Sequence, residues 1–360
     1  MWRWGAGVVV ACGLMAGCET PDNFSHYNFY DSAYGGGAAD VGETCRLKTE
    51  HGLWKEAVEA CASALSDPAI TKSDRVLLDD YLVAAYFGLE EYDKALAPAN
   101  DWVSLYPRSW DALETRGRVY AAMVDYDRAL ADFNRSIEVE PRYNHAHLGR
   151  AMVYGAQGKF DLAMTDLKIA LERDPEDPQV FRFRCRVEIH QERFQQAIDD
   201  CNQALKLEPG YSIAKVEKGA AQYFAGDYRG AAGTLADFMS YQQEEPYGLL
   251  WLHLARRRLG IDDTAQLKEQ AQRIDTGRWP ALIVRYFEGQ VSLDALESAK
   301  PDPDPKHAES RQCDVDYFAG ESAIVAGKTD NGRRLLQHAA ADCPSGHLSG
   351  VGARAAIGRL

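Results

Sequence analysis

The sequence predicts an all-α chain built from repeated antiparallel helix pairs. Small, aromatic and proline residues recur in it with a spacing of 34 residues. The recurring residues are Ala129, Ala163, Ala197 and Ala231, with Tyr126, Phe160, Phe194 and Tyr228 three positions earlier and Pro141, Pro175 and Pro209 near the unit ends. A fixed period of about 20–50 residues is typical of repeat arrays, in which each unit packs on its neighbours.

Four units of this length follow one another without a gap, at 110–143, 144–177, 178–211 and 212–245. We expect two amphipathic helices in each unit, because a small residue at position 8 lets the two helices approach closely. The proline near the end of a unit stops its second helix.

The rest of the chain divides around this block. We expect a signal peptide at 1–17, a flexible tether at 18–37, degenerate repeat units at 38–107, linking helices at 246–300, a proline-rich linker at 301–309 and a C-terminal helix pair, itself a degenerate repeat, at 310–360. The linking helices are predicted to be off the 34-residue pattern, and the alternating prolines to make a stiff linker.

The N-terminus has the character of a targeting segment. Arg3 gives it a positive start, and Gly5–Gly17 is apolar but too short to span a membrane. The residues that end at Cys18 resemble the lipobox of bacterial lipoproteins, although Met15 stands where leucine is usual. The resemblance implies cleavage before Cys18, acylation of that cysteine and attachment to a membrane by the lipid. Because Glu19 rather than aspartate follows, we expect an outer-membrane lipoprotein that faces the periplasm.

Composition and motifs exclude several classes of function. The formal net charge is −14, and binding to phosphate backbones requires a basic face, so we expect no nucleic-acid partner. The sequence contains no nucleophile elbow, P-loop, dinucleotide-binding glycine motif or zinc-protease motif. We therefore predict a protein that is not an enzyme and that has no catalytic residue, metal or cofactor.

Six cysteines lie beyond Cys18, an even number in a chain predicted to be exported. We predict three local disulfides, Cys45–Cys61, Cys185–Cys201 and Cys313–Cys343. The first two pairs share one 16-residue spacing at positions 8 and 24 of a repeat, and the third closes the open end of the last hairpin. The alternative is that these cysteines are small buried thiols. A metal site is disfavoured because no CxxC motif occurs.

Charges of opposite sign also recur on the repeat. Basic residues occupy position 7 and acidic residues occupy position 23 in three consecutive units. We predict the structural ion pairs Arg116–Asp132, Arg150–Asp166 and Arg184–Asp200. The alternative is a basic ladder that binds anions, but the matched acidic column favours pairing between the helices.

The period and its residues closely resemble the tetratricopeptide repeat family. This resemblance implies a right-handed superhelical solenoid of antiparallel helix pairs, whose first helices line a concave groove at positions 2, 5, 9, 12 and 13. Those positions predict a partner-binding groove formed by Glu114, Arg118, Leu148, Met152, Arg182, Arg186, His190, Val216, Tyr223 and Phe224. Its apolar and basic residues favour a peptide or tail of acidic and hydrophobic character.

The segment after the fourth unit resembles one lipoprotein family in particular. Tyr247–Arg256, Trp279 and the Tyr286–Gly289 turn are similar to the stretch that links the main repeats to a last helix pair in the new lipoprotein I family. The resemblance implies a scaffold that docks cell-wall (peptidoglycan) hydrolases or a periplasmic protease. The sequence does not determine the oligomeric state, and it is compatible with a homodimer. The alternative is a structural subunit of an outer-membrane assembly or export machine.

Overall fold

A computed structural model describes residues 42–275, 279–298, 305–344 and 346–360, with the side chains of 305–308 excluded. Every regular element in these ranges is a helix, so the predicted all-α class is confirmed. The described chain forms two compact units. The N-terminal unit consists of 42–154 and Lys168–Asp174, and the C-terminal unit of Gly155–Leu167 and Pro175–Leu360. The predicted signal peptide, Cys18 and the tether lie outside the described residues.

Eight helices come first in the described part of the chain. They are α1 (Glu43–Glu50), α2 (Trp54–Leu65), α3 (Lys72–Gly88), α4 (Tyr92–Leu105), α5 (Trp110–Ala122), α6 (Tyr126–Val139), α7 (Asn144–Ala156) and α8 (Phe160–Arg173). Helices α1 with α2, α3 with α4, and α5 with α6 pack as pairs within the N-terminal unit.

Eleven further helices lie in the described residues of the C-terminal unit. They are α9 (Pro178–His190), α10 (Phe194–Leu207), α11 (Ser212–Phe224), α12 (Tyr228–Met239), α13 (Pro246–Arg258), α14 (Thr264–Ala271), α15 (Ala281–Phe287), α16 (Leu293–Glu297), α17 (Pro305–Val325), α18 (Thr329–Asp342) and α19 (Leu348–Ile357). None of the helices in the described ranges is both long enough and apolar enough to cross a membrane.

The helices begin in the register that the period predicts. Helices α5, α7, α9 and α11 start at the first residue of the four predicted units, and their partners start sixteen residues later. Local capping helps to fix these starts: Ser109 and Asp177 accept hydrogen bonds from backbone amides in the first turns of α5 and α9.

Position 8 sets the distance between paired helices. A Cβ atom placed on Gly117 would lie 2.9 Å from the ring of Phe133, and one on Gly219 would lie 2.6 Å from Leu235. Each large side chain comes from position 24 of the same unit and fills the space that the glycine leaves. The missing side chain at position 8 is therefore what allows the two helices to pack closely.

Two segments after the repeats differ from the sequence prediction. The linking segment was expected to be off the pattern, yet α13 begins at Pro246, 34 residues after Ser212, and packs against α11 and α12 as the next first helix would. Helix α17 begins at Pro305, inside the predicted linker, because proline fits the first turn of a helix. The C-terminal segment also contains a third helix, α19, beyond the expected pair.

Candidate functional site

We call the surface formed by positions 2, 5, 9, 12 and 13 of the first helices the inner face. The sequence predicts that this face binds a partner in all four tight repeats. The structure gives these positions different environments in the two units.

Tyr223 and Phe224 are part of the core, so the prediction that they line an open groove is wrong. Both are almost completely buried. The ring of Tyr223 packs on Trp251, and the ring of Phe224 packs on Trp251 and Tyr317. The Tyr223 hydroxyl donates a hydrogen bond to Glu321, which also accepts two from Arg258. Helices α13 and α17 thus cover the positions that sequence reasoning assigned to the partner.

The basic residues predicted for the same face also have internal partners. Arg182 is 2 % exposed and donates hydrogen bonds to Tyr211 and Glu217, at 2.9 and 3.4 Å. Arg186 lies 3.8 Å from the Glu217 carboxylate. Burial raises the pKa of Glu217, and the two guanidinium groups oppose that rise. The interior carboxylate faces these two cations, so they give no support for an acidic ligand.

Helix α19 completes the cover of this face. It packs against α9 and α11, and Gly352 allows close contact, since a Cβ atom there would lie 2.5 Å from Phe224 and 2.7 Å from Tyr317. Arg359, just after α19, donates a hydrogen bond to the Phe224 carbonyl. Burial, reinforced by the charge of Arg186, lowers the pKa of His190 to about 3. Val216, also predicted for the groove, is half-buried and packs on the same core.

The inner face of the N-terminal unit has a different character, with charged side chains around Arg118. Arg118 on α5 lies 3.8 Å from Glu114 and stacks over the Phe87 ring of α3 at 5.8 Å. Its charge acts on two neighbours: it opposes the rise that burial causes in the pKa of Asp80 on α3, and it adds to the fall that burial causes in the pKa of His145 on α7. Three successive first helices therefore contribute to one cluster, which we call the Arg118 cluster.

Two titratable groups of this cluster, Asp80 and His145, have shifted pKa values. Burial raises the pKa of Asp80 to about 7, the Arg118 charge opposes the rise and Asp111 adds to it. Burial lowers the pKa of His145 to about 4. Asp80, Phe87, Arg118 and His145 nevertheless keep part of their surface exposed. A group that remains accessible while its ionisation is finely balanced is well placed to respond to a charged ligand.

Sequence reasoning found some of this cluster and missed the rest. Glu114 and Arg118 were predicted, whereas Asp80, Phe87 and His145 were not among the groove residues. The missed signal is that Asp80 lies 34 residues before Glu114 and so occupies position 5 of the preceding, looser unit. Of the other predicted residues on α7, Leu148 is buried and Met152 is half-buried.

Two of the predicted ion pairs have bidentate geometry. Arg116 donates to both carboxylate oxygens of Asp132 at 2.7 and 2.8 Å, and Arg184 donates to both oxygens of Asp200 at 2.5 and 2.6 Å. Both pairs join the first and second helix of one repeat, as a structural clamp would. The Arg150–Asp166 pair stays a prediction.

Each predicted cysteine pair is brought together. The Cα–Cα distances are 4.8 Å for Cys45–Cys61, 5.5 Å for Cys185–Cys201 and 5.3 Å for Cys313–Cys343. Disulfides normally require about 4.4–6.8 Å. The first two pairs occupy positions 8 and 24, where other repeats place a small and a large side chain. The oxidation state of the cysteines stays a prediction that peptide mapping would test.

The third pair has a neighbour that sequence reasoning missed. The Nδ1 atom of His347 lies 3.2 Å from the Cys313 sulfur. His347 follows Cys343 by only four residues, a spacing that was available as a signal.

Comparison with known proteins identifies the repeat. An all-helical chain of paired helices with this register is first of all a helical repeat protein. The tetratricopeptide repeat family model matches residues 114–163 and 148–212, so the chain contains tetratricopeptide repeats.

Solved structures agree with this fold. A tetratricopeptide repeat protein from Parabacteroides merdae is 14 % identical, with a TM-score of 0.50 over 69 % of this chain and 96 % of that one. The pilF protein of Pseudomonas aeruginosa is 16 % identical, with a TM-score of 0.50 over 61 % of this chain and 99 % of that one. At these identities the likeness shows the fold alone.

Proposed function

We propose that this protein is a scaffold of the bacterial cell envelope, anchored in the outer membrane by a lipid on Cys18 and facing the periplasm. The lipobox-like segment supports the anchor, and the tetratricopeptide repeats, whose fold is generally a non-catalytic platform for protein–protein interaction, support the scaffold. The observation that carries the binding role is the Arg118 cluster on the inner face of the N-terminal unit.

The chemistry of this cluster favours a cationic segment. Glu114 lies 3.8 Å from the Arg118 guanidinium, and Asp80 is close enough to feel the charges of both Arg118 and Asp111. When they are ionised, these three carboxylates outnumber the Arg118 guanidinium. Two of the basic residues that suggested an acidic ligand, Arg182 and Arg186, lie instead in the C-terminal unit beside Glu217. A lysine or arginine of the partner would complement the carboxylates, and the net charge of −14 would favour the encounter.

Apolar surface beside the charges would give such a segment its affinity. Phe87 and Met152 are half-buried residues of the inner face, and buried aromatic contacts commonly contribute most of the energy of an interface. A peptide with one basic and one apolar anchor fits this combination. Cell-wall hydrolases or a periplasmic protease are the partners we propose, following the resemblance to the new lipoprotein I family.

The test is site-specific photo-crosslinking in cells. A crosslinking amino acid at Phe87 should capture a defined partner, whereas the same group at the exposed Arg128 of α6 should not. The double variant Asp80→Asn with Glu114→Gln should weaken capture more than tenfold, since removing charges that face a desolvated partner charge costs about 2–5 kcal/mol. Asp127→Asn, an exposed carboxyl on α6, is the matched control.

The identity of the captured protein decides the role. Murein hydrolases or a protease would support the proposal, whereas outer-membrane barrel or secretin subunits would replace it with a part in an assembly machine. Equal crosslinking from Phe87 and Arg128 would contradict binding at the inner face.

The anchor has its own test. Cys18→Ser should release the protein from the membrane fraction, because lipidation needs the thiol. A mutant that stays in the outer-membrane fraction of a sucrose gradient would refute the lipid anchor.

A further inference from the structure

The three cysteine pairs differ in their surroundings. The four cysteines of the pairs Cys45–Cys61 and Cys185–Cys201 are completely buried. In the third pair Cys313 is 4 % exposed, while Cys343, at the C-terminal end of α18, is only partly buried. Cys343 is therefore the more accessible of the two residues to a thiolate from solvent, and attack there makes Cys313 the leaving group.

The leaving sulfur faces the ring of a histidine. The Nδ1 atom of His347 lies 3.2 Å from the Cys313 sulfur and, as a donor, would point its N–H at it. The Nε2 atom of the same ring is buried and has no hydrogen-bond partner. It lies 3.8 Å from Asp314, so a proton added there would face a carboxylate.

Asp314 is itself fixed in place. Its Oδ1 atom accepts a hydrogen bond from Ser349 at 2.6 Å, and its Oδ2 atom accepts from Tyr247 at 2.8 Å and Trp279 at 3.0 Å. Four segments of the C-terminal unit thus converge on the cysteine–histidine pair. By contrast, the group beside Cys185 and Cys201 is the carboxylate of Glu217, which would repel a thiolate.

We infer that Cys313–Cys343 is a thiol–disulfide exchange site, in which His347 and Asp314 stabilise Cys313 as the leaving thiolate for reaction with a dithiol. The other two pairs are structural.

The exchange balances as two displacements. A dithiol thiolate attacks the Cys343 sulfur, the bond between the two cysteine sulfurs breaks, and Cys313 leaves as a thiolate. The second thiol of the reductant then displaces Cys343 and becomes part of an oxidised, disulfide-bonded product. Two electrons pass to the protein, and two protons follow: one to Cys343 and one to Nε2 of His347, beside Asp314. Leaving groups that are stabilised as thiolates depart faster.

The experiment is timed reduction of the full chain with dithiothreitol. Samples are quenched in acid, unfolded and alkylated, and each pair is then followed by peptide mapping. We expect Cys313–Cys343 to open at least tenfold faster than Cys185–Cys201, and His347→Gln to remove most of that advantage. His338→Gln, an exposed histidine on α18, is the matched control and should leave the rate unchanged.

Three results would overturn the inference: equal rates for all three pairs, an unchanged rate in folded His347→Gln, or the same loss of rate in His338→Gln. Should His347→Gln fail to fold, the ultraviolet absorbance of thiolate in the reduced wild type decides. It should persist at about pH 6, where an ordinary thiol with a pKa of about 8.5 is protonated. Its disappearance there would also refute the assignment.

Discussion

The inner-face positions of the repeat differ in solvent exposure between the two units. In the N-terminal unit the inner face keeps the partly exposed charges of the Arg118 cluster. In the C-terminal unit the equivalent positions, Tyr223 and Phe224, are buried under α13, α17 and α19. The position of a residue within a repeat therefore predicts the face on which its side chain lies. It does not predict whether that face is covered by solvent, by a partner or by another part of the same chain.

The cover over the second inner face depends on a polar contact as well as on aromatic packing. Glu321 is completely buried and receives hydrogen bonds from Tyr223 and Arg258. A buried charge that loses its partner is costly, so this contact couples α17 to the repeats strongly. The following predictions test the contrast between the units, from the largest effect to the smallest.

The largest effect is expected for Glu321→Ala. The substitution leaves Arg258 and the Tyr223 hydroxyl without their buried acceptor, and we expect a loss of about 3–5 kcal/mol in the free energy of unfolding. Urea denaturation followed by circular dichroism measures it. Glu309→Ala, an exposed residue of the same helix, should change stability by less than about 0.5 kcal/mol. Similar losses in both variants would contradict the closed inner face.

A second test changes the fit of α19. Gly352→Ala places a methyl group against Phe224 and Tyr317, and crowding of this kind costs about 1–3 kcal/mol. Gly233→Ala is the matched control, because it lies within α12 with open space around its Cβ position. There alanine should stabilise the protein by about 0.5–1 kcal/mol. Opposite shifts in melting temperature are the expected result, and two stabilising shifts would contradict the close packing of α19.

In the N-terminal unit, Asp79→Asn should stabilise the protein in a pH-dependent way. Asp79 is buried, its Oδ2 atom has no hydrogen-bond partner, and burial raises its pKa to about 7. A raised carboxyl pKa means that the folded state holds the proton more tightly, so stability falls as the pH rises towards 7. We expect a gain of roughly 1–2 kcal/mol at about pH 8 that shrinks steadily to little change near about pH 4, the ordinary pKa of an aspartate. A gain that is independent of pH would argue against ionisation as the cause.

The smallest effect concerns the ion pairs between paired helices. Arg116→Met removes the bidentate contact to Asp132 but keeps an apolar stem, and we expect a loss of about 1 kcal/mol, since the arginine is partly exposed. The exposed Arg128, paired with Asp125, should tolerate the same change with almost no loss. High salt should reduce the difference between the two variants. A persistent difference would instead point to packing rather than charge.

The sequence by itself determined the periodic part of this protein. The period predicted where α5 to α12 begin, and the 16-residue spacing predicted which cysteines and which Arg–Asp pairs come together. These contacts lie within one helix pair, so their geometry repeats whenever the residues repeat. The same 34-residue period also applies to Pro246, after the four units, and to Asp80, before them. The sequence analysis assigned neither residue to the repeat pattern.

Only the tertiary structure decided what covers the repeats. Tyr223 meets Glu321 across 98 residues of chain, and Cys313 meets His347 across 34 residues through a third C-terminal helix. The repeat pattern did not predict either contact, because the partners belong to different elements that meet only after the array has folded. The packing of α17 and α19 on the inner face consists of contacts between residues far apart in the sequence, and it buries aromatic surface. It turned a predicted binding groove into a core, and left the N-terminal unit to carry the candidate binding surface.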